Sequence, residues 1–161
     1  MPNRVYMKID GIAGSCMERN HADYCDVRGF DHEMTYPFDI TQGQGKSEVK
    51  HGPIKVLKPI DKASAILYTK LSKREKIDKV LFEFWWDNPQ DGQLEKYFTI
   101  EISDCRVVLA HPYTPAPSES DTENAQLSHM EWIGFAYRVV DWAFLHGGNT
   151  PGHYDFGDPT A

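Results

Sequence analysis

The chain has 161 residues, 40% apolar and 25% charged, with a formal net charge of −7. That length suits one compact domain, 1–161, burying roughly two thirds of the surface its unfolded chain exposes. Ordinary composition excludes a disordered chain, and the acidic balance disfavours binding to a phosphate backbone.

Val5, Met7 and Ile9 alternate with Tyr6 and Lys8, which predicts a first strand over Arg4–Ile9. Lys8 and Asp10 interrupt any early apolar run, so a Sec-type leader is not expected, and no stretch reaches the ~18 apolar residues of a membrane-spanning helix. A second strand is expected over Tyr24–Phe30, resuming through Met34, Tyr36 and Phe38. From Asp39 to Gly52 the chain is polar and punctuated by glycine, and reads as an extended loop.

A short strand, Ile54–Leu57, precedes Pro59-Ile60-Asp61, where Asp61 is placed to cap a helix. Ala63, Ile66, Leu67 and Leu71 then share one face of an amphipathic helix of about three turns. The lysines and arginine between Lys70 and Lys79 are broken by Glu75 and Asp78, as on a solvated helix end and its following loop.

Strand alternation returns from Lys79 to Trp86, Asp87–Gly92 supplies a hairpin turn, and Leu94–Ile102 and Cys105–Ala110 continue a meander. Pro112 to Asn124 is a proline-containing surface loop, and a last long strand, about Gln126 to Trp142, is apolar on both faces. Such a strand must be covered twice, by a barrel interior on one side and by a helix or a neighbouring subunit on the other. The Gly- and Pro-rich tail 146–161 is expected to be irregular. The pattern is mainly β: a small β-barrel or two-sheet β-sandwich with one amphipathic α-helix.

Three cysteines, at 16, 25 and 105, form no Cys-x-x-Cys pair and suit a reducing compartment. Two chemical readings can be framed. His146 and His153 flank a loop that would bring them together as metal ligands with Asp155 or Asp158, yet no His-Glu-x-x-His or zinc-type spacing supports it. Cys25, Asp26, Asp31 and His32 offer a nucleophile and a base, but strand alternation sends neighbours to opposite faces. No catalytic residue and no cofactor are expected. A third reading makes the barrel a small-ligand carrier whose cavity is lined by Phe82, Phe84, Trp85, Trp86, Trp132 and Trp142, although in a chain this size such rings more often fill the interior.

Four blocks in order resemble the haemolysin-coregulated protein family, the tube proteins of type VI secretion systems. They are Tyr6–Ser15 with His21 and Asp26-Val27, then Ile60–Ser64, then Tyr97–Val107, then Met130–Trp142. Two departures are visible: Gly14-Ser15-Cys16 stands where the family often has Gly-Glu-Ser, and a polar Thr41–His51 replaces a glycine-rich tract. The resemblance implies a homohexameric ring that stacks into a hollow tube inside a contractile sheath, with a spike protein at the tip and secreted effectors in the lumen. It implies assembly in the bacterial cytoplasm and export without a signal peptide, while the acidic balance and the lack of a long apolar run lead to the expectation of no nucleic-acid partner and no membrane insertion. Within it, the loop residues Gln42, Gly43, Gln44, Gly45, Lys46 and Ser47 are the candidate contact between stacked rings, since an extended segment gains most by lying across a neighbour's sheet edge.

Overall fold

The computed structural model describes residues 4–45, 48–114 and 129–158. Its main strands in chain order are β1 (Arg4–Ile9), β2 (Cys25–Val27), β3 (Gly29–Asp31), β8 (Ile54–Pro59), β9 (Lys76–Asp87), β10 (Leu94–Tyr113), β11 (Met130–Phe144) and β12 (Thr150–Asp155). Four two-residue strands lie between β3 and β8: β4 (Met34–Thr35), β5 (Phe38–Asp39), β6 (Gln44–Gly45) and β7 (Lys50–His51). One helix, α1 (Ser64–Lys73), joins β8 to β9.

The large sheet runs β2-β1-β9-β10-β11-β8-β3, with β12 added to β11. Its two ends are one stretch of chain. β2 pairs with β1, β3 pairs with β8, and between them the Arg28 N–H donates to the Leu57 carbonyl at 2.7 Å. The segment Cys25–Asp31 is thus the seam that turns the sheet back on itself and makes it barrel-like, leaving few exposed edges.

Alternation explains what fills the interior. On β8, Ile54, Val56 and Lys58 are buried while Lys55, Leu57 and Pro59 are only half-buried. Met7, Ile9, Phe82, Ile102, Ile133 and Phe135 join them from the other strands. At one level the inward face changes parity on three strands at once. Ile77 and Val80, Ile102 and Cys105, and Tyr137 and Val140 are inward neighbours three residues apart instead of two. Asp104 sits at that level with φ +51°, in the left-handed region, and its carboxylate is held by Lys76 at 2.8 Å and Arg138 at 2.9 Å. A shared irregularity lets long strands bend around a small core without losing the next stretch of register.

Several expectations are met and others corrected. β1 occupies the expected residues, and the seam falls within Tyr24–Phe30 plus Asp31. Asp61 is not the expected cap: the N-cap is Ala63, without a side-chain cap hydrogen bond, and Asp61 stands two residues earlier, where its Oδ1 accepts the Ala63 N–H at 3.0 Å and its own N–H donates to the Ser64 hydroxyl at 2.9 Å. Ala63 and Leu67 are buried and Leu71 packs on the core, but Ile66 faces solvent. Leu94–Ile102 and Cys105–Ala110 are one strand, because the Asp104 irregularity bends β10 instead of ending it. The tail is not irregular throughout, since β12 pairs with β11 from Thr150 opposite Phe144 to Asp155 opposite Val139. The expected start of the last strand, Gln126–Ser128, and nearly all of the Pro112–Asn124 loop lie outside the described residues. Among the described residues no helix is long and apolar enough to cross a membrane.

Candidate functional site

The stretch expected to be an extended loop is the return half of a hairpin arm. β4 pairs with β7, with Met34 opposite His51, and β5 pairs with β6, with Phe38 opposite Gly45. Pro37 lies between the two short ladders, where a residue without an N–H interrupts pairing. At the tip the Asp39 carboxylate accepts the Thr41 N–H at 3.0 Å, and the Gly43 N–H donates to the Asp39 carbonyl at 2.8 Å.

One face of this arm is apolar and uncovered. Met34, Tyr36, Phe38 and Ile40 recur at every second residue, all exposed, with Tyr36 at 54% and Ile40 at 91%. Val49 from the return half is exposed as well. The Tyr36 ring lies over Gly45, so closely that a β-carbon there would stand 1.6 Å from the phenol oxygen. Glycine at 45 is what lets the aromatic lie flat on the arm. Of the six residues singled out for ring contacts, Gln42 to Gly45 form the arm's tip, and Lys46 and Ser47 lie outside the described residues.

The arm is anchored through its base. His32 precedes β4 and His51 ends β7, and both meet the Tyr137 hydroxyl of β11: His51 Nδ1 at 2.7 Å and His32 Nε2 at 3.0 Å. His51 also stacks on Tyr154 of β12 with centroids 5.3 Å apart and meets Phe156 edge-on at 4.9 Å. The Gly52 N–H donates to the Glu33 carbonyl at 2.8 Å and closes the hairpin's foot.

Beneath α1 lies a second assembly of polar groups. Lys58 on β8 and Glu131 on β11 are directly opposed across the ladder and both are fully buried. The Lys58 ammonium donates to Glu131 at 2.5 Å, to Asp61 at 2.9 Å and to the Pro59 carbonyl at 3.0 Å. The Ser64 hydroxyl donates to Glu131 at 2.6 Å, and the Tyr68 hydroxyl donates to its other oxygen. Burial pulls the Lys58 pKa down, but the hydrogen bonds to Glu131 and Asp61 outweigh it and leave the group above its ordinary value. Burial and the Glu131 hydrogen bond push the Tyr68 hydroxyl up to about 12. Every partner is satisfied, so the network pins the start of the helix to the barrel instead of presenting reactive groups. The inward position of Lys58 is signalled in the sequence, since it continues the alternation of Ile54 and Val56, but its partner is not.

A third cluster sits outside the barrel, where the chain between Asp10 and Tyr24 crosses the outer face of β1 and β9. His21 stacks on Tyr6 at 3.9 Å and pairs with buried Glu83 at 3.0 Å, and Trp85 Nε1 donates to the same carboxylate at 3.1 Å.

The chemical readings are not brought together. His146 pairs with Glu95 at 2.8 Å and His153 with Asp141 at 2.5 Å, two separate contacts, and among the described residues no group of three or more metal-type ligands is assembled. Cys25 is buried, its thiol pushed up to about 12 by burial and then by Asp61, so it is a poor nucleophile. Asp26 pairs with Arg28, and His32 belongs to the arm's base. The six aromatics proposed to line a cavity diverge. Phe82 is core with Phe84 and Trp142 packed against that core, whereas Trp85 bonds outward to Glu83, Trp86 stacks on Tyr97 at 4.2 Å, and Trp132 lines a shallow concavity with Asp31, Lys55, Leu109 and His111.

Comparison with known proteins agrees with this geometry. Residues 6–144 match the family described as "Type VI secretion system effector, Hcp". The chain is 32% identical over 148 residues to the major exported protein of Pseudomonas aeruginosa, covering 92% of this chain and 84% of that protein. Among solved structures, one described as Hcp protein superposes with a TM-score of 0.82 at 22% identity, covering 96% of this chain and 98% of that one. Hcp1 from Salmonella typhimurium gives 0.79 at 21%, covering 99% and 98%. Matched over residues 6–144 and 32% identical to the Pseudomonas aeruginosa relative, the chain belongs to the Hcp family of the type VI secretion system, as a structural component of its tube.

Proposed function

We propose that the whole chain acts as one barrel domain that closes with copies of itself into a hexameric ring, and that rings stack through the hairpin arm and the residues Gln42 to Ser47. The observation that supports this reading is the uncovered row Met34, Tyr36, Phe38 and Ile40. A monomer has no reason to project four apolar side chains on a narrow arm, whereas a head-to-tail contact between identical subunits would bury them. Its relative in Pseudomonas aeruginosa is named a major exported protein, and export of the assembled tube fits that name. In this reading the tube assembles in the cytoplasm, needs no signal peptide, is driven outward by a contractile sheath, carries a spike protein at its tip and encloses effectors.

Deleting Gln42 to Ser47 tests the stacking role. Negative-stain microscopy is expected to show intact single rings and no filaments, and stacking equal to that of the intact chain would refute the assignment.

A further inference from the structure

The base of the arm rests on one phenol oxygen shared by two imidazoles. Tyr137 has one hydroxyl proton, so with His51 Nδ1 at 2.7 Å and His32 Nε2 at 3.0 Å it donates to one ring and accepts from the other. In that arrangement one ring must turn a bare nitrogen to the hydroxyl. The two rings are themselves only 6.2 Å apart, centroid to centroid. Around them stand Trp142 from β11, Tyr154 from β12 and Phe156 just after it, all against His51. Asp31, from the seam, is the carboxylate acting on His32, and the Gly52 backbone also favours its charged form.

We propose that His32, Tyr137 and His51 form an acid-sensitive latch: when both imidazoles are protonated, the base of the arm detaches from β11 and β12 while the barrel stays folded. A first proton is accommodated, because Asp31 and the hydroxyl's lone pairs can face one cation. The second leaves no bare nitrogen for the hydroxyl to donate to, and sets two cations 6.2 Å apart, centroid to centroid, with a single carboxylate, Asp31, acting on one of them. Burial already holds both imidazoles below their ordinary value, and His51 adds to the effect on His32. Release therefore falls below the ~6.5 of a free imidazole. If the arm joins stacked rings, as read above, acid also separates the rings; that consequence rests on the stacking reading, and the latch itself does not.

The two are separated by measuring detachment and stacking independently on the full-length assembled protein. The methyl resonance of Met34, next to the latch, reports the arm, and sedimentation reports stacking, both followed from about pH 8 to about pH 5. The ratio of attached to detached arm is expected to fall by about tenfold per pH unit, since the attached arm accommodates one proton and release takes up the second. His51→Gln, which leaves a single imidazole whose proton is accommodated, is expected to flatten this to well under tenfold, and His32→Gln with His51→Gln to abolish it with the arm still attached, because an amide can still bond to Tyr137. Tyr137→Phe keeps both imidazoles and is expected to loosen the arm already at neutral pH. A Met34 signal that does not change with pH, or that responds equally in the double variant, overturns the latch. A normal Met34 transition with unchanged stacking upholds the latch and overturns the stacking role of the arm.

Discussion

β8 and the outgoing half of the arm carry the same period-two pattern and put it to opposite use. On β8 the alternate residues Ile54, Val56 and Lys58 are all buried, even the cation, whereas on the arm Met34, Tyr36, Phe38 and Ile40 are all exposed. Periodicity declares that a strand has two unlike faces, but it does not say what covers the apolar one. In the barrel other strands of the same chain do so. On the arm no part of the described chain does, and that asymmetry carries the functional reading.

Damage to the barrel side should be the larger in stability. Lys58→Met leaves Glu131 and Asp61 buried without their cation, and is expected to cost about 3–5 kcal/mol by equilibrium denaturation. A cost below about 1 kcal/mol would mean that water reaches the pair. Leu67→Ala, at a fully buried helix position, should cost about 2–5 kcal/mol. On the arm the sign of the comparison reverses. Phe38→Ser with Ile40→Ser should change unfolding free energy by no more than about 0.5 kcal/mol per site, yet remove filaments from micrographs. Lost stability with retained filaments would invert the assignment of the two regions.

Mild acid sharpens the contrast at the smallest scale. His32 and His51 have native pKa values below their unfolded ones, so the contribution of their neutral forms is complete above ~6.5 and is lost as pH falls through the lower native values. The unfolding free energy is expected to decline modestly in that window in the natural sequence and less in the His32→Gln, His51→Gln variant.

How much was legible in the sequence follows the same division. β1, the seam, the helix and the β9–β10 hairpin announce themselves, because their apolar residues repeat at the period of the element that buries them. β12 does not. Pro151 and Gly152 read as loop, yet Pro151 is tolerated on an edge strand paired on one side only. Gly152 lies against the Trp142 ring, where a β-carbon would stand 3.4 Å from it. The continuity of β10 was hidden by Ser103-Asp104, a turn-like pair that bends the strand instead of breaking it. The arm's outward half was visible as alternation, but its return half is two-residue ladders in polar sequence, with no periodicity to detect. The Lys58–Glu131 pairing depends on registry between strands separated by more than seventy positions, which no local pattern encodes.

The seam has one more consequence. Asp31 and Lys55 are already partnered across the ladder, so both ends of the arm are fixed by the barrel itself, whatever lies between them. Lengthening the intervening chain adds only about 0.6 kcal/mol for each doubling of a flexible loop. The reach of the protrusion can therefore drift or be engineered while the container that bears it keeps its shape.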